Sequence, residues 1–401
     1  MEVSGSAGLR LNLDVESLTL IVECYRMPSS YIMVGGFLGA GKTTLIQRFA
    51  KYIDGKGRKV GLITNDQGAG LVDSMIGRSN QFPVEEISGG CFCCRFNSLI
   101  DAATSLTAEN RPDVFLAEPV GSCTDLVATV SLPLKQIYGD DYRVSPLSVL
   151  VDPVRAGQIL GLIEGKKFSD NVTYIYRKQL EEAEFIVINK LDLLHPEGIE
   201  DLRAALEREF PEAKVFELSA REGNGCEEWF EAVLSAEIDS KRFLDIDYEK
   251  YGQGEALLGW LNAAVEIKCD GRRVDEFDGN ELLESIATAL RTKLEEAGAE
   301  VAHLKMTLNP LGDPMEIASI NLVRGDSEPE LSHRLYEPLD EGELLLNIRA
   351  EVDPDTLERA ADAGLEQAIA MDSSLLFRIT HLEHFRPGMP TPTHRVTADN
   401  V

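Results

Sequence analysis

The chain has 401 residues, 44% hydrophobic and 27% charged, with a formal net charge of −29. That length exceeds one ordinary core, so two domains are expected, and the composition is that of a soluble globular protein. So acidic a surface repels nucleic-acid phosphates and anionic membranes, and no apolar run is long enough to span a bilayer, so neither nucleic acid nor membrane is an expected partner.

The first six residues, Met1 to Ser6, carry no basic region leading into an apolar core, which argues against a secretory signal. Residues 1–26 read as a loosely attached extension or a misassigned start, although Leu18-Thr19-Leu20-Ile21-Val22 has the composition of a strand. From 27 to about 240, apolar runs of strand length (31–34, 59–64, 114–117, 147–151, 185–188, 214–217) alternate with helical stretches. Short Val- and Ile-rich strands separated by helices predict an α/β domain with a mostly parallel sheet covered on both faces.

Gly36-Phe37-Leu38-Gly39-Ala40-Gly41-Lys42-Thr43 follows the first strand and opens the first helix. In that setting Gly36, Gly39, Ala40 and Gly41 bring backbone N–H groups close to phosphates, and the helix start adds favourable field. Lys42 is expected to bridge the β- and γ-phosphates, and Thr43, with Thr44 nearby, to hold Mg²⁺. Asp66 and Glu118, each after an apolar run, are the candidate acids at strand ends for that ion. Asp66 is also the candidate for positioning water.

Cys91-Phe92-Cys93-Cys94 follows two glycines, Gly89 and Gly90. Three sulfurs in four positions, out of seven cysteines in the chain, read as a metal site in a reducing, cytoplasmic compartment rather than a disulfide framework. Zn²⁺ suits the set, as do Co²⁺, Ni²⁺ and Cu⁺. Cys123 is open: it lies five residues after Glu118 and could face the nucleotide edge. His381, His384 and His394 read as structural or surface residues.

Asn189-Lys190-Leu191-Asp192 follows the run 185–188. Asp192 can accept from guanine N1–H and N2–H₂, donors that adenine lacks, so one carboxylate discriminates strongly. Asn189 is expected to tie loops together, the Lys190 stem to cover the base, and Ser219-Ala220 to supply backbone N–H groups to the base oxygen.

Residues 241–258 are polar and contain glycines, as a linker would. Residues 259–401 then change rhythm to β-α-β-β-β-α-β, predicting a ferredoxin-like α+β domain with one added strand. Asp353 is a candidate cap for the last helix. The Pro-rich stretch 386–392 continues neither helix nor central strand.

These residues resemble the CobW-type GTPase family, relatives of the UreG and HypB nickel-delivery GTPases. The resemblance is carried by Gly36–Thr43, Asn65-Asp66-x-Gly68, Gly90-Cys91-Phe92-Cys93-Cys94, Glu118-x-x-Gly121 and Asn189–Asp192, and covers about 31–235. It implies slow GTP hydrolysis, a C-x-C-C metal loop coupled to GTP or GDP, and delivery of metal to a client metalloprotein or metal-insertion complex. It also implies Glu118 as the Walker-B-like acid, Asp66 in the switch segment near the metal, and dimerisation across the nucleotide as in related GTPases. The family usually carries Asn-Glu-x-Gly where this chain has Asn65-Asp66-Gln67-Gly68, and the His-rich stretch of many members is missing. Corrinoid-enzyme maturation and a purely structural zinc site are the competing readings. A small-molecule kinase on the same phosphate loop is a third, which Asn189–Asp192 speaks against.

Overall fold

A computed structural model describes residues 28–65, 82–238, 243–271, 276–312, 316–371 and 374–398. The candidate strand at 18–22 and the segment that begins at Asp66 lie outside the described residues.

Eight strands form the first sheet: β1 (Ser29–Gly36), β2 (Val60–Asn65), β3 (Val84–Ile87), β4 (Val114–Glu118), β5 (Tyr142–Val144), β6 (Ser148–Val151), β7 (Phe185–Ile188) and β8 (Lys214–Glu217). Their order is β3-β2-β4-β1-β6-β7-β8, and every pairing is parallel. The short β5 pairs with the first residues of β1 and β6 with the last, so two strands share one edge. The central strand is buried along its whole length. Ile32 and Val34 face one core, with Leu45 and Phe49 of the helix Lys42–Gly55; Tyr31 and Met33 face the other. Burial on both faces is why these strands read as continuous apolar runs rather than alternating ones. The chain leaves β1 toward β2 on one side and returns through β4 to β6 on the other. The carboxyl ends of β1, β4 and β6 therefore surround the crevice where such sheets bind ligands.

The second sheet is antiparallel, with the order β12-β11-β10-β13-β9-β14. Its strands are β9 (Leu258–Cys269), β10 (Glu300–Pro310), β11 (Ala318–Leu322), β12 (Glu330–His333), β13 (Glu341–Glu351) and β14 (Leu375–Phe385). Without β11 and β12, the unit β9-helix-β10-β13-helix-β14 has the strand order fourth-first-third-second, the ferredoxin-like arrangement expected. Two strands are added beyond the outer edge of β10, where one was anticipated. β12 is four residues, Glu-Leu-Ser-His, too short and polar to announce itself.

This sheet alternates. Leu304, Met306 and Leu308 of β10, and Leu344, Leu346 and Ile348 of β13, pack with the helices Gly279–Glu296 and Pro354–Met371. The intervening positions, among them Thr307, Asn309, Asn347 and Arg349, are buried yet polar.

Residues 248–257, within the stretch expected to be a linker, form a helix capped by Asp247, whose carboxylate accepts from Glu249 and Lys250 N–H. Its Gly254 has a packing reason: a Cβ there would stand 2.5 Å from the carbonyl oxygen of Asn171. The glycine permits close helix contact rather than breaking the helix.

Candidate functional site

A cleft of about 1430 Å³ lies between the carboxyl ends of the parallel sheet and the polar face of the antiparallel one. Gly39 and the run from Gly41 to Thr44 line it, as do Glu118, Asn189, Lys190, Asp192, Ser219 and Ala220. Gly36 and Ala40 contribute through their carbonyls. Gly36 accepts from Lys42 Nζ at 2.9 Å, and Ala40 from Asn189 Nδ2 at 2.9 Å.

Gly41, at the start of the helix, has φ 94°, and a Cβ would meet Asn189 Nδ2 at 2.4 Å. Only glycine suits both the conformation and the approach. Thr43 Oγ1 donates to Glu118 Oε1 at 3.0 Å, so the loop threonine and the acid ending β4 meet as a hydroxyl–carboxylate pair. Hard oxygen donors with a phosphate loop alongside are the set Mg²⁺ takes.

The base end is braced by Asn189. Its Nδ2 holds the phosphate loop, and its Oδ1 accepts from Ala220 N–H at 2.9 Å. Ser219 Oγ lies 3.4 Å from Asp192 Oδ1, and Asp192 is exposed to the cleft. Lys190, in a left-handed backbone conformation (φ 58°), sends Nζ to Gly39 O at 2.7 Å and Asp152 Oδ2 at 2.9 Å. Sequence reasoning missed two supports here. Arg48, on the first helix, donates to Ala220 O at 2.6 Å. Asp152 caps the helix Pro153–Leu160 and pairs with Lys190 and Arg324. Burial opposes its ionisation, but Lys190, the Arg155 N–H and Arg324 together hold its carboxyl below the usual range.

The cysteines converge. Cys91 Sγ is 2.9 Å from Cys93 Sγ and 3.2 Å from Cys94 Sγ, with 3.7 Å between the latter two. An ion with Zn–S bonds of about 2.3 Å sets tetrahedral sulfurs about 3.8 Å apart, so Cys93 and Cys94 are already at chelating spacing and Cys91 within about 1 Å of it. Among the described residues this is the one cluster of metal-ligating side chains. Cys123, left open in sequence, is buried beside Cys91 rather than at the nucleotide edge. Hydrogen bonds from Cys123, then Cys93 and Cys94, hold the Cys91 thiol well below its ordinary range. Contact with Cys91 and burial push Cys123 the other way.

Two connections link the thiols to the cleft. Asn65, at the end of β2, donates from Nδ2 to Ile87 O at 2.9 Å and Gly90 O at 2.7 Å. The segment from Glu118 to Cys123 touches Thr43 at one end and Cys91 at the other. The carboxyl-terminal stretch returns to the same loop. Thr391 N–H reaches Cys94 Sγ at 3.2 Å, Thr393 N–H donates to Cys93 O at 2.8 Å, and His394 packs edge-on against Phe96.

The strand order, the phosphate loop after β1 and the Asn-Lys-x-Asp loop after β7 define a P-loop GTPase fold. Residues 30–217 match the family described as CobW/HypB/UreG, nucleotide-binding domain. Over that stretch, slightly under half of its length, the chain is similar to this nucleotide-binding domain. It is 28% identical over 198 residues to a protein named zinc chaperone CobW from Sinorhizobium, covering 43% of this chain and 53% of that one. It is 35% identical over 172 residues to the zinc chaperone YjiA of Escherichia coli, covering 41% and 50%. The chain thus spans about half the length of the curated relatives it matches. A solved structure, the Zn(II)-bound YjiA GTPase from E. coli, aligns over 85% of this chain and 99% of its own at 19% identity and a TM-score of 0.35. Among the described residues, no helix is long and apolar enough to cross a membrane.

Proposed function

We propose that this chain binds and hydrolyses GTP and uses the nucleotide state to hold or release a thiophilic ion, zinc by preference, for a client metalloprotein or metal-insertion complex. The observation that carries the proposal is the segment from Glu118 to Cys123. One end holds the threonine of the phosphate loop and the other lies against the thiol cluster. A shift of Glu118 on nucleotide exchange is thereby transmitted to the sulfurs over a few residues of chain. The names of the relatives, zinc chaperones, favour zinc over cobalt or nickel.

On this reading Gly36 to Thr44 cradle the phosphates, with Lys42 as the charge on the β- and γ-groups. Thr43 and Glu118 hold Mg²⁺, which when bound neutralises developing charge on the phosphates. Asp192 selects guanine, the Lys190 stem covers it, and Ser219 and Ala220 complete the base pocket. Asp66, outside the described residues, keeps the proposed water-positioning role. Cys91, Cys93 and Cys94 bind the cargo ion, with Cys123 alongside. Residues 27–240 act as the nucleotide unit and 259–401 as its cover.

A purely structural zinc site is the second reading, favoured by the burial of Cys91 and Cys93 and by the clasp of Thr391 and Thr393. Zinc affinity measured by chelator competition, with a non-hydrolysable GTP analogue and with GDP, separates the two. A switch gives affinities at least roughly fivefold apart, the low end of ordinary coupling energies. Equal affinities, with unfolding on chelation, give a structural zinc.

A further inference from the structure

We propose that Lys305, on the antiparallel sheet, is a γ-phosphate contact for nucleotide held by the parallel-sheet domain, so that the C-terminal sheet distinguishes GTP from GDP. The proposal rests on the reading of the cleft as a GTP site.

Lys305 lies on β10 between Leu304 and Met306, whose side chains enter the helix-packed core. Strand alternation therefore aims Lys305 at the cleft. Its Nζ stands 3.5 Å from Thr43 Oγ1, the same hydroxyl that donates to Glu118, although the two residues are 262 positions apart. In a phosphate loop that hydroxyl would help hold Mg²⁺, whose charge would offset that of the terminal phosphates. The β-phosphate is served by loop N–H groups and Lys42. The oxygens nearest a cation entering over Thr43 from the opposite sheet are those of the γ-group.

The surroundings are those of an anion site. Lys42 and Lys190 border the same cleft, their ammonium groups resting on the carbonyls of Gly36 and Gly39. His303, two residues before Lys305, is pushed well below the ordinary imidazole range by burial, then by the charges of Lys305, Lys190 and Lys42. In a chain of net charge −29, three ammonium groups gathered around one neutral histidine form a local positive field.

The sheet carrying Lys305 is fastened to the nucleotide unit beside the phosphate loop. Arg155 donates to Val301 O at 3.2 Å, and Arg324 pairs with Asp152 at 3.3 Å. Loss of the γ-phosphate then removes an anion from beneath β10, and the sheet registers hydrolysis directly.

The test is equilibrium binding of a fluorescent non-hydrolysable GTP analogue and of GDP at saturating Mg²⁺. It uses the full chain as wild type, Lys305→Gln and Lys305→Arg. Lys305→Gln should weaken the analogue roughly tenfold or more, the size of a charge-assisted hydrogen bond, and change GDP by less than about twofold. Retained GDP binding also reports an intact fold, and Lys305→Arg should restore most of the GTP preference. Equal losses for both nucleotides in both variants would show a lysine that only joins the domains, and overturn the proposal. So would unchanged nucleotide affinities with tighter Mg²⁺ binding, the mark of an ammonium standing in for the ion. A wild type that binds neither guanine nucleotide would overturn the GTP reading itself, a result distinct from a variant that merely loses discrimination.

Discussion

The two sheets solve burial in opposite ways. The inner strands of the parallel sheet are apolar on both faces, and the polar side chains they bring to the cleft region stand at strand ends: Asn65 on β2, Glu118 on β4, Asp152 after β6, Asn189 after β7. The antiparallel sheet is apolar on one face and mostly polar on the other, where Trp260 and a small cluster of Ala264, Ile317 and Leu345 are the apolar exceptions, and it turns that face toward the nucleotide cleft. On that second face Thr307 Oγ1, Asn309 Oδ1 and Trp260 Nε1 are buried with no hydrogen-bond partner among the described residues. Each such group costs about 1–3 kcal/mol. Of these three, Trp260 lines the cleft.

The sharpest break of the comparison is at a strand end. Asp192→Asn should weaken GTP binding roughly a thousandfold, because the amide presents a donor to guanine donors and leaves them unpaired. Xanthosine nucleotides, which carry an acceptor at that ring position, should recover binding; titration of both nucleotides reads the exchange. The face of the antiparallel sheet comes next. Leu346→Ala, on the helix side, should cost about 2–5 kcal/mol in denaturant unfolding. Asn321→Ala on the cleft side, which loses its bonds to Ser332 and His303, should cost less, about 1–2 kcal/mol. Equal costs would mean that both faces are ordinary core.

A pH series sharpens the comparison from the parallel-sheet side. Glu182 on the helix Asp170–Glu182 is pushed up to about 8, chiefly by burial, with the Asp125 charge adding to it, while Val127 N–H and Thr124 hydrogen bonds oppose the shift. A raised folded value means the native state holds the proton longer than the unfolded chain. This contribution is therefore full below the ordinary value of 4.5, declines as pH rises and is gone above about 8. Its slope is at most about 1.4 kcal/mol per pH unit. Thermal melts of Glu182→Gln between pH 5 and 8 should be flatter than those of the wild type; parallel curves would put the titration elsewhere. The smallest effect is expected at the clasp on the metal loop. Thr393→Val removes the hydroxyl bond to Cys94 O while keeping the backbone bond to Cys93, and should ease local opening of the loop by about 1 kcal/mol or less. Hydrogen exchange at 91–94 is the readout, and faster exchange with an unchanged global stability is the expected result.

The phosphate loop, the Asn-Lys-x-Asp loop and the cysteine loop were legible because each is a contiguous string whose chemistry follows from local spacing. The ferredoxin-like order was legible from its helix and strand rhythm. What escaped was assembled across distance. Lys305 reaches Thr43, Arg48 props a loop 172 positions away and Cys123 meets Cys91, and no local pattern reports such meetings. The three-residue β5 and four-residue β12 are too short to show a period. The helix Tyr248–Leu257 was hidden by glycines that serve packing rather than flexibility.

The central claim, that the thiols and the nucleotide are one device, is tested most directly by GTP turnover titrated with Zn²⁺. The comparison is between the wild type and the triple variant Cys91→Ala, Cys93→Ala, Cys94→Ala, with ATP as control. GTP should be preferred, and turnover should change with zinc only when the cysteines are present. Turnover indifferent to both zinc and the cysteines would contradict it and leave the cysteine loop as a structural staple.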